Sequence, residues 1–196
     1  MRLAVLVSGR GSNLEAILDA RLEVAVVISN RPRVRALEVA RSRGVASIVL
    51  PRSAFPDAAS RDAEIGAALA GLGVELAVLA GYDQVLRPTY FAAYAGRTIN
   101  IHPSLLPAHG GRGMLGLAVH RSVLAAGDTE TGATLHEVTA ELDAGPILAQ
   151  ARVPVLVGDD ANRLAARVLV EEHRLLVSTL RSLGVPTVPG APMRVR

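Results

Sequence analysis

Short runs rich in Val, Ile and Leu take turns with longer amphipathic stretches along this chain, the signature of strands and helices that succeed one another in a parallel sheet. Strands are predicted at about Leu3–Val7, Glu23–Ile28, Ser47–Leu50, Leu76–Ala80 and Thr98–Ile101. The first four lack polar alternation, which predicts helices over both of their faces. Helices are predicted at about Ser12–Ala20, Val34–Arg43, Asp57–Leu72 and Leu115–Ala126. Beyond Gly127 the text turns to alternation with turn signals, predicting two further strands around a loop at Glu141–Pro146. A last helix opens at Asp159 or Asp160, both good N-caps, and runs to about Leu183. The Pro- and Gly-rich tail, 184–196, reads as irregular. The predicted fold class is α/β, three layers, with a mostly parallel central sheet and helices on both faces.

At 196 residues the chain is expected to form a single domain, 1–196. Half of the residues are apolar and a fifth are charged, and no apolar run approaches the roughly 20 residues that span a bilayer. The opening apolar stretch is too short for a signal peptide, so a cytoplasmic globular enzyme is expected, with no membrane partner. With no cysteine, disulfides and thiolate chemistry are excluded. The net charge is +3, the positive complement being arginine-rich, while aromatics make up 3%. Nucleic-acid binding would favour a basic patch interleaved with aromatics, so no nucleic-acid partner is expected. The one basic run, Arg31 to Arg43, has the spacing of a solvated helix face. An anionic small molecule also suits the mild positive bias.

The first strand leads into "SGRGSNLEA", where Gly9 and Gly11 open a helix. Such a turn presents backbone N–H groups at the positive end of a helix dipole, a natural phosphate site. The dinucleotide fingerprint wants a third glycine where Leu14 stands, and no Gly-Lys-Ser/Thr follows, so a phosphomonoester is favoured over NAD or ATP. The alternative is a plain turn with Ser12 or Asn13 capping the helix.

The fifth strand carries polar residues where a core would want apolar ones. Side chains alternate along a strand, so Thr98, Asn100 and His102 share one side while Ile99 and Ile101 take the other. Pro103 stops the ladder and leaves His102 at the carboxyl end, where open parallel sheets place their ligands. An amide can donate to an oxygen gaining charge, and an imidazole can move a proton near neutral pH, a pair suited to acyl transfer. Downstream, "GATLHEVTAELDAGPI" offers His136 on a strand and Asp143 in a loop. A carboxylate beside an imidazole would hold its orientation.

The segments "SGRGSNL", "AGYDQVL", "NIHPSLLP", "GATLHEVTAELDAGPIL" and "VGDDANRLAARVLVEEH" occur in the order found in the phosphoribosylglycinamide formyltransferase family of purine biosynthesis, and the chain resembles that family from Leu3 to about Leu176. The resemblance implies formyl transfer from 10-formyltetrahydrofolate, as co-substrate and without a metal, to the amine of glycinamide ribonucleotide, by a protein that can form a homodimer. It implies a nucleotide-phosphate half at about 1–100 and a catalytic and folate half at about 101–183. The catalytic trio would be Asn100, His102 and Asp143. Gly11, Ser12 and Asn13 would grip the phosphate and Glu172 the ribose. Asp83, Gln84, Val85 and Leu86 would cradle the folate, with Asn100 and the loop Ala140, Glu141 and Asp143 opposite. The alternative for the stretch 83–86 is a plain strand-to-helix connection before Pro88.

Glu172 is also legible by itself, since it interrupts a stripe of Leu164, Val168, Leu175 and Thr179 on the last helix. A buried carboxylate needs a polar partner; at the stripe's edge it would instead reach solvent or Arg167. Several positions depart from the family. Ala58 stands where an arginine contacts the folate, with Arg61 the nearest candidate, and Tyr82 and Asp83 replace the usual Phe and Met. The segment "RGMLGLA" is two residues longer than usual, which predicts a differently shaped Gly110–Leu117 loop. His109 and His120 lie near it without an assigned role. The competing readings are a formyltetrahydrofolate hydrolase-like enzyme and a non-catalytic nucleotide- or folate-binding domain.

Overall fold

The structure, a computed structural model, describes residues 1–188. Seven strands form one sheet in the order β3-β2-β1-β4-β5-β6-β7. They are β1 (Leu3–Val7), β2 (Val24–Ser29), β3 (Ser47–Val49), β4 (Leu76–Leu79), β5 (Arg97–His102), β6 (Glu130–Glu137) and β7 (Ile147–Pro154). The first five pair in parallel, while β6 runs antiparallel to β5 and β7 antiparallel to β6. The helices are α1 (Ser12–Asp19), α2 (Arg35–Ser42), α3 (Ala58–Gly71), α4 (Pro88–Ala93), α5 (Leu117–Ala126) and α6 (Ala161–Ser182). No helix among the described residues is long and apolar enough to cross a membrane.

The uniformly apolar runs explain the central positions. Every residue of β1 and β4 is buried. Leu3, Val5 and Val7 face a cluster built with α1, α2, α5 and α6, whereas Ala4 and Leu6 face Ile65 and Leu69 of α3 and Tyr90 of α4. Period-two alternation thus feeds two cores from one strand. The expected cover on both faces fails at β3, whose Ser47 and Val49 are exposed, because this short strand lies at the sheet edge and pairs with β2.

Other boundaries follow local chemistry. Asp57 caps α3 by accepting from Ser60 N–H, and Asp160 caps α6 by accepting from Asn162 and Arg163 N–H. The sequence pattern does not reveal α4, whose six residues are too few to show a helical period. It opens with Pro88, whose missing N–H would have no helical partner there. The arginine run folds as expected onto α2, with Ala36, Val39 and Ala40 inward and Arg35 and Arg43 paired with Glu15 and Asp19 of α1. The start of the tail is tied to the segment between α1 and β2: Glu23 N–H donates to Pro186 C=O and Val188 N–H to Arg21 C=O, both at 2.8 Å. The rest of that tail lies outside the described residues.

From β1 the chain moves outward through β2 to β3, then returns to the other side of β1 as β4. That reversal makes the carboxyl ends of β1 and β4 the topological switch point, with β5 next to it. The backbone N–H of Asp83 spans it, donating to Ser8 Oγ at 2.9 Å.

Candidate active site

At the end of β1, Gly11 adopts φ 78°, the left-handed region, and precedes α1 with no side-chain cap. The capping alternative is therefore excluded: Ser12 and Asn13 are inside the first turn, whose N–H groups face outward at the positive helix end. A Cβ on Gly11 would meet Ala36 Cβ at 2.7 Å, so both the conformation and the close approach of α2 require glycine here. The turn is braced by Ala36 N–H donating to Gly9 C=O at 3.1 Å and by Arg35 donating to the Arg10 carbonyl at 3.2 Å.

On β5, Ile99 and Ile101 enter the core with α5 and α6. Thr98 turns to the other face, where its hydroxyl meets Tyr90 OH at 2.8 Å. Asn100 and His102 therefore share that face. Antiparallel pairing puts His136 opposite Asn100 and Thr134 opposite His102, and directly opposed residues present their side chains to the same face. Asn100 Nδ2 lies 3.1 Å from His136 Nε2, while His136 Nδ1 lies 2.9 Å from the Glu137 carbonyl. A carbonyl only accepts, so Nδ1 carries the proton and Nε2 accepts from the amide. Burial lowers the pKa of His136, against the raising effects of that carbonyl and of Asp143. Its neutral form fixes which end of the Asn100 amide is the donor.

His102 is buried, and its Nε2 lies 2.9 Å from the His109 carbonyl. By the same logic Nε2–H donates, and Nδ1 is the nitrogen turned to Asp143, 3.9 Å from Oδ2. The other oxygen of Asp143 is 3.7 Å from His136 Nε2. Asp143 holds a left-handed φ of 53° and accepts from Gly111 N–H at 2.8 Å. A non-glycine residue keeps such a backbone only where its surroundings over-determine it. Gly145 contributes to that packing, because a Cβ there would sit 1.9 Å from the Glu137 carbonyl. Asn100, His102 and Asp143 are thus gathered in one place, with His136 among them.

Asn13 Nδ2 donates to Glu172 Oε2 at 2.9 Å across 159 residues of sequence. Glu172 is buried, and burial pushes its carboxyl pKa up, while the Asn13 bond and the charge of Arg10 pull it down. The stripe on α6 runs through Leu164, Val168, Glu172, Leu176 and Leu180, not Leu175 and Thr179. Arg167 is not the partner of Glu172, since it forks onto Asp159 at 2.7 and 2.8 Å. Beside the pair, Asn13 Oδ1 is buried with no protein partner. A buried acceptor left open next to a carboxylate suits a ligand that brings hydroxyl donors.

The stretch Asp83–Leu86 is irregular and connects β4 to α4. Asp83 accepts from Asn30 at 2.7 Å and Gln84 at 3.0 Å and pairs with Arg31. Burial alone would raise its pKa, but the hydrogen bonds from Gln84, Asn30 and Ser8 and the charge of Arg31 hold it below the usual carboxylate value. Its side chain therefore ties the ends of β2 and β4 together and is committed away from any ligand. Gln84 is also engaged, accepting from Arg61 at 3.3 Å. Arg61 is 1% exposed and its guanidinium binds Asp62, 0% exposed, at 2.7 Å. Its position makes it an internal strut of this segment. Leu86 is buried in the cluster against which Val138 packs, and Val85 and Leu142 are exposed apolar side chains. Ala140 and Glu141 are exposed.

Sequence reasoning named His136 but missed its bond to Asn100, which depends on strand register. Among the described residues, no group of three or more His, Asp or Glu is arranged to hold a metal ion. Residues 1–180 match the family described as formyl transferase. The chain is 42% identical over 181 residues to the phosphoribosylglycinamide formyltransferase of Escherichia coli (strain K12), covering 89% of this chain and 83% of that protein. It is 41% identical over 180 residues to a trifunctional purine biosynthetic protein adenosine-3 of Drosophila pseudoobscura pseudoobscura, covering 88% of this chain and 13% of that one. The crystal structure of glycinamide ribonucleotide transformylase 1 from Symbiobacterium toebii superposes with a TM-score of 0.87 at 41% identity, over 97% of this chain and 91% of that one.

Proposed function

The chain belongs to the formyl transferase family, and we propose that it transfers the formyl group of 10-formyltetrahydrofolate to the amine of glycinamide ribonucleotide, giving formylglycinamide ribonucleotide and tetrahydrofolate. The observation that carries this activity is the convergence of Asn100, His102 and Asp143 at the end of β5, within a fold shared with glycinamide ribonucleotide transformylases.

The substrate amine attacks the formyl carbon, and the carbonyl π electrons move onto oxygen. Asn100 Nδ2, with one hydrogen given to His136, has its second free for that oxygen. Protonated His102 adds positive charge beside it and supplies a proton to the departing folate nitrogen as the carbon–nitrogen bond breaks. The oxyanion electrons re-form the carbonyl, the attacking nitrogen gives one proton back to the now neutral His102, and Asp143, 3.9 Å from Nδ1, keeps the ring oriented for both transfers. The N–H groups of Ser12 and Asn13 hold the phosphate, with Gly11 giving the turn. Glu172 and the open Asn13 Oδ1 accept from ribose hydroxyls. The backbone of Asp83, Gln84, Val85 and Leu86 holds the folate ring, and Ala140 and Glu141 form the facing wall.

The test is a steady-state assay of tetrahydrofolate release. Release should require the ribonucleotide; equal release without it would make the protein a hydrolase, and none in either case a binding module. Asn100→Ala, His102→Ala and Asp143→Ala should each lower kcat by about 10²–10⁴-fold with little change in the ribonucleotide KM. Near-normal turnover in His102→Ala would overturn the mechanism.

A further inference from the structure

The loop that follows β5 contains a second cluster, outside the groups that meet the substrates. His109 sits at φ 54°, in the left-handed region, and its carbonyl accepts His102 Nε2–H. Both of its own ring nitrogens are held: Nε2 lies 2.6 Å from Asp128 Oδ2 and Nδ1 lies 2.8 Å from Ser122 Oγ. Ser122 lies in α5, and Asp128 follows its Gly127 C-cap directly. The ring is therefore pinned at two points, one within α5 and one just past its C-cap. A second strut, Ser104 Oγ donating to the Ala108 carbonyl at 2.6 Å, holds the residue before it.

We propose that His109 is a positioning residue for formyl transfer: clamped by Ser122 and Asp128, it holds its backbone carbonyl where His102 must keep a proton on Nε2 and present Nδ1 to Asp143. This rests on the role of His102 proposed above. A backbone carbonyl accepts and never donates, so it selects one neutral tautomer of His102 and one ring orientation. The nitrogen left to exchange a proton is then Nδ1. Without the clamp, nothing in the His109 side chain would keep a left-handed backbone at that position, and the carbonyl could turn away. His102 could then take the other tautomer, with its acceptor nitrogen facing the wrong way.

The experiment uses ¹⁵N-histidine-labelled protein, whose five histidines are few enough to resolve, with His102→Ala assigning the His102 signals. Wild-type His102 should be the Nε2–H tautomer when neutral. In His109→Phe, close in shape but without ring nitrogens, the tautomers should mix and kcat should fall roughly 10- to 100-fold, the scale of a misaimed catalytic group, with the ribonucleotide KM little changed. Asp128→Ala should do the same to a lesser degree, and Asp128→Asn, which keeps an acceptor oxygen, should restore most of the tautomer and the rate. An Nδ1–H tautomer in the wild type, or an unchanged tautomer and kcat in His109→Phe and Asp128→Ala, would overturn the proposal. If His109→Phe does not fold, the Asp128 pair decides. The tautomer is read without turnover, so an active His102→Ala enzyme would sink the reaction mechanism while leaving the clamp separately measurable.

Discussion

Glu172→Gln separates what this carboxylate costs the fold from what it does for a substrate. Glu172 is 8% exposed and breaks a stripe whose other members, Leu164, Val168, Leu176 and Leu180, are each 0% exposed. Burial raises its pKa more than the Asn13 hydrogen bond and the charge of Arg10 lower it. The folded protein thus holds this proton more tightly than the unfolded chain does. Stability is fullest below the ordinary value of 4.5 and is lost as pH rises through the elevated folded value, so the ionised group is a burden at neutral pH. Glutamine keeps the shape and can still accept from Asn13, but carries no charge. Removing a buried charge with an imperfect set of partners is worth about 1–3 kcal/mol, and for a chain of this size each 1 kcal/mol moves Tm by about 2–4 °C. The variant should therefore melt roughly 2–12 °C higher at pH 7.5 and show no advantage near pH 4. In the same protein the ribonucleotide KM should rise about 10- to 100-fold, the loss of a charge-assisted bond to a hydroxyl. Calorimetry at both pH values and steady-state kinetics read the two effects. A lower Tm at pH 7.5, or an equal gain at pH 4, would refute the buried-charge argument, and an unchanged KM would remove Glu172 from the substrate site.

Burial lowers the pKa of His120, His136 and His173, so the stability that depends on their neutral forms is present above 6.5 and lost as pH falls toward their folded values; the denaturation midpoint should drop between pH 7.5 and 5.5, and by less in His120→Gln. Arg61→Ala should cost about 3–5 kcal/mol in denaturant unfolding, because it strands the buried Asp62 carboxylate; a loss below about 1 kcal/mol, the range of an exposed pair, would contradict this. Gly145→Ala must push its loop off the Glu137 carbonyl, 1.9 Å from the new Cβ, and the displaced Asp143 should lower kcat about 100-fold; a wild-type kcat would show that the loop has room.

Much of the fold is legible because burial leaves a simple mark. β1 and β4, covered on both faces, read as unbroken apolar runs, and α3 and α6 announce themselves by Asp57 and Asp160. Where burial is partial the mark fades: β3 has the composition of an inner strand but lies at an edge, and α4 is shorter than two helical turns. The error on α6 has the same origin. Spacings of three and four both keep a residue near one face, so the sequence leaves open two stripes, and the packed helix buries the one through Leu176 and Leu180 rather than Leu175 and Thr179.

The site divides along a different line. Asn100 and His102 stand out because polar side chains in an otherwise apolar strand need a reason. Their partners do not, since Asn13 meets Glu172 across 159 residues and Asp143 meets His102 through a loop. The bond between Asn100 and His136 is the instructive case. Ala133 and Leu135 enter the core while Thr134 and His136 take the opposite face, so a slip of one residue in β6 would reverse every side chain and is forbidden. A slip of two residues keeps the apolar face intact and moves His136 opposite Thr98 or His102. Nothing in the alternation of β6 excludes it. What excludes it lies outside the strand pair: Thr134 Oγ1 accepts from Leu106 N–H at 3.0 Å and donates to the Ser104 carbonyl at 2.6 Å. Those bonds tie β6 to the loop leaving His102, and after a two-residue slip both would be broken and their groups buried unpaired. The loop that carries His109 therefore also sets the register that gives Asn100 its histidine, so the two hydrogen bonds that aim the catalytic pair depend on one segment.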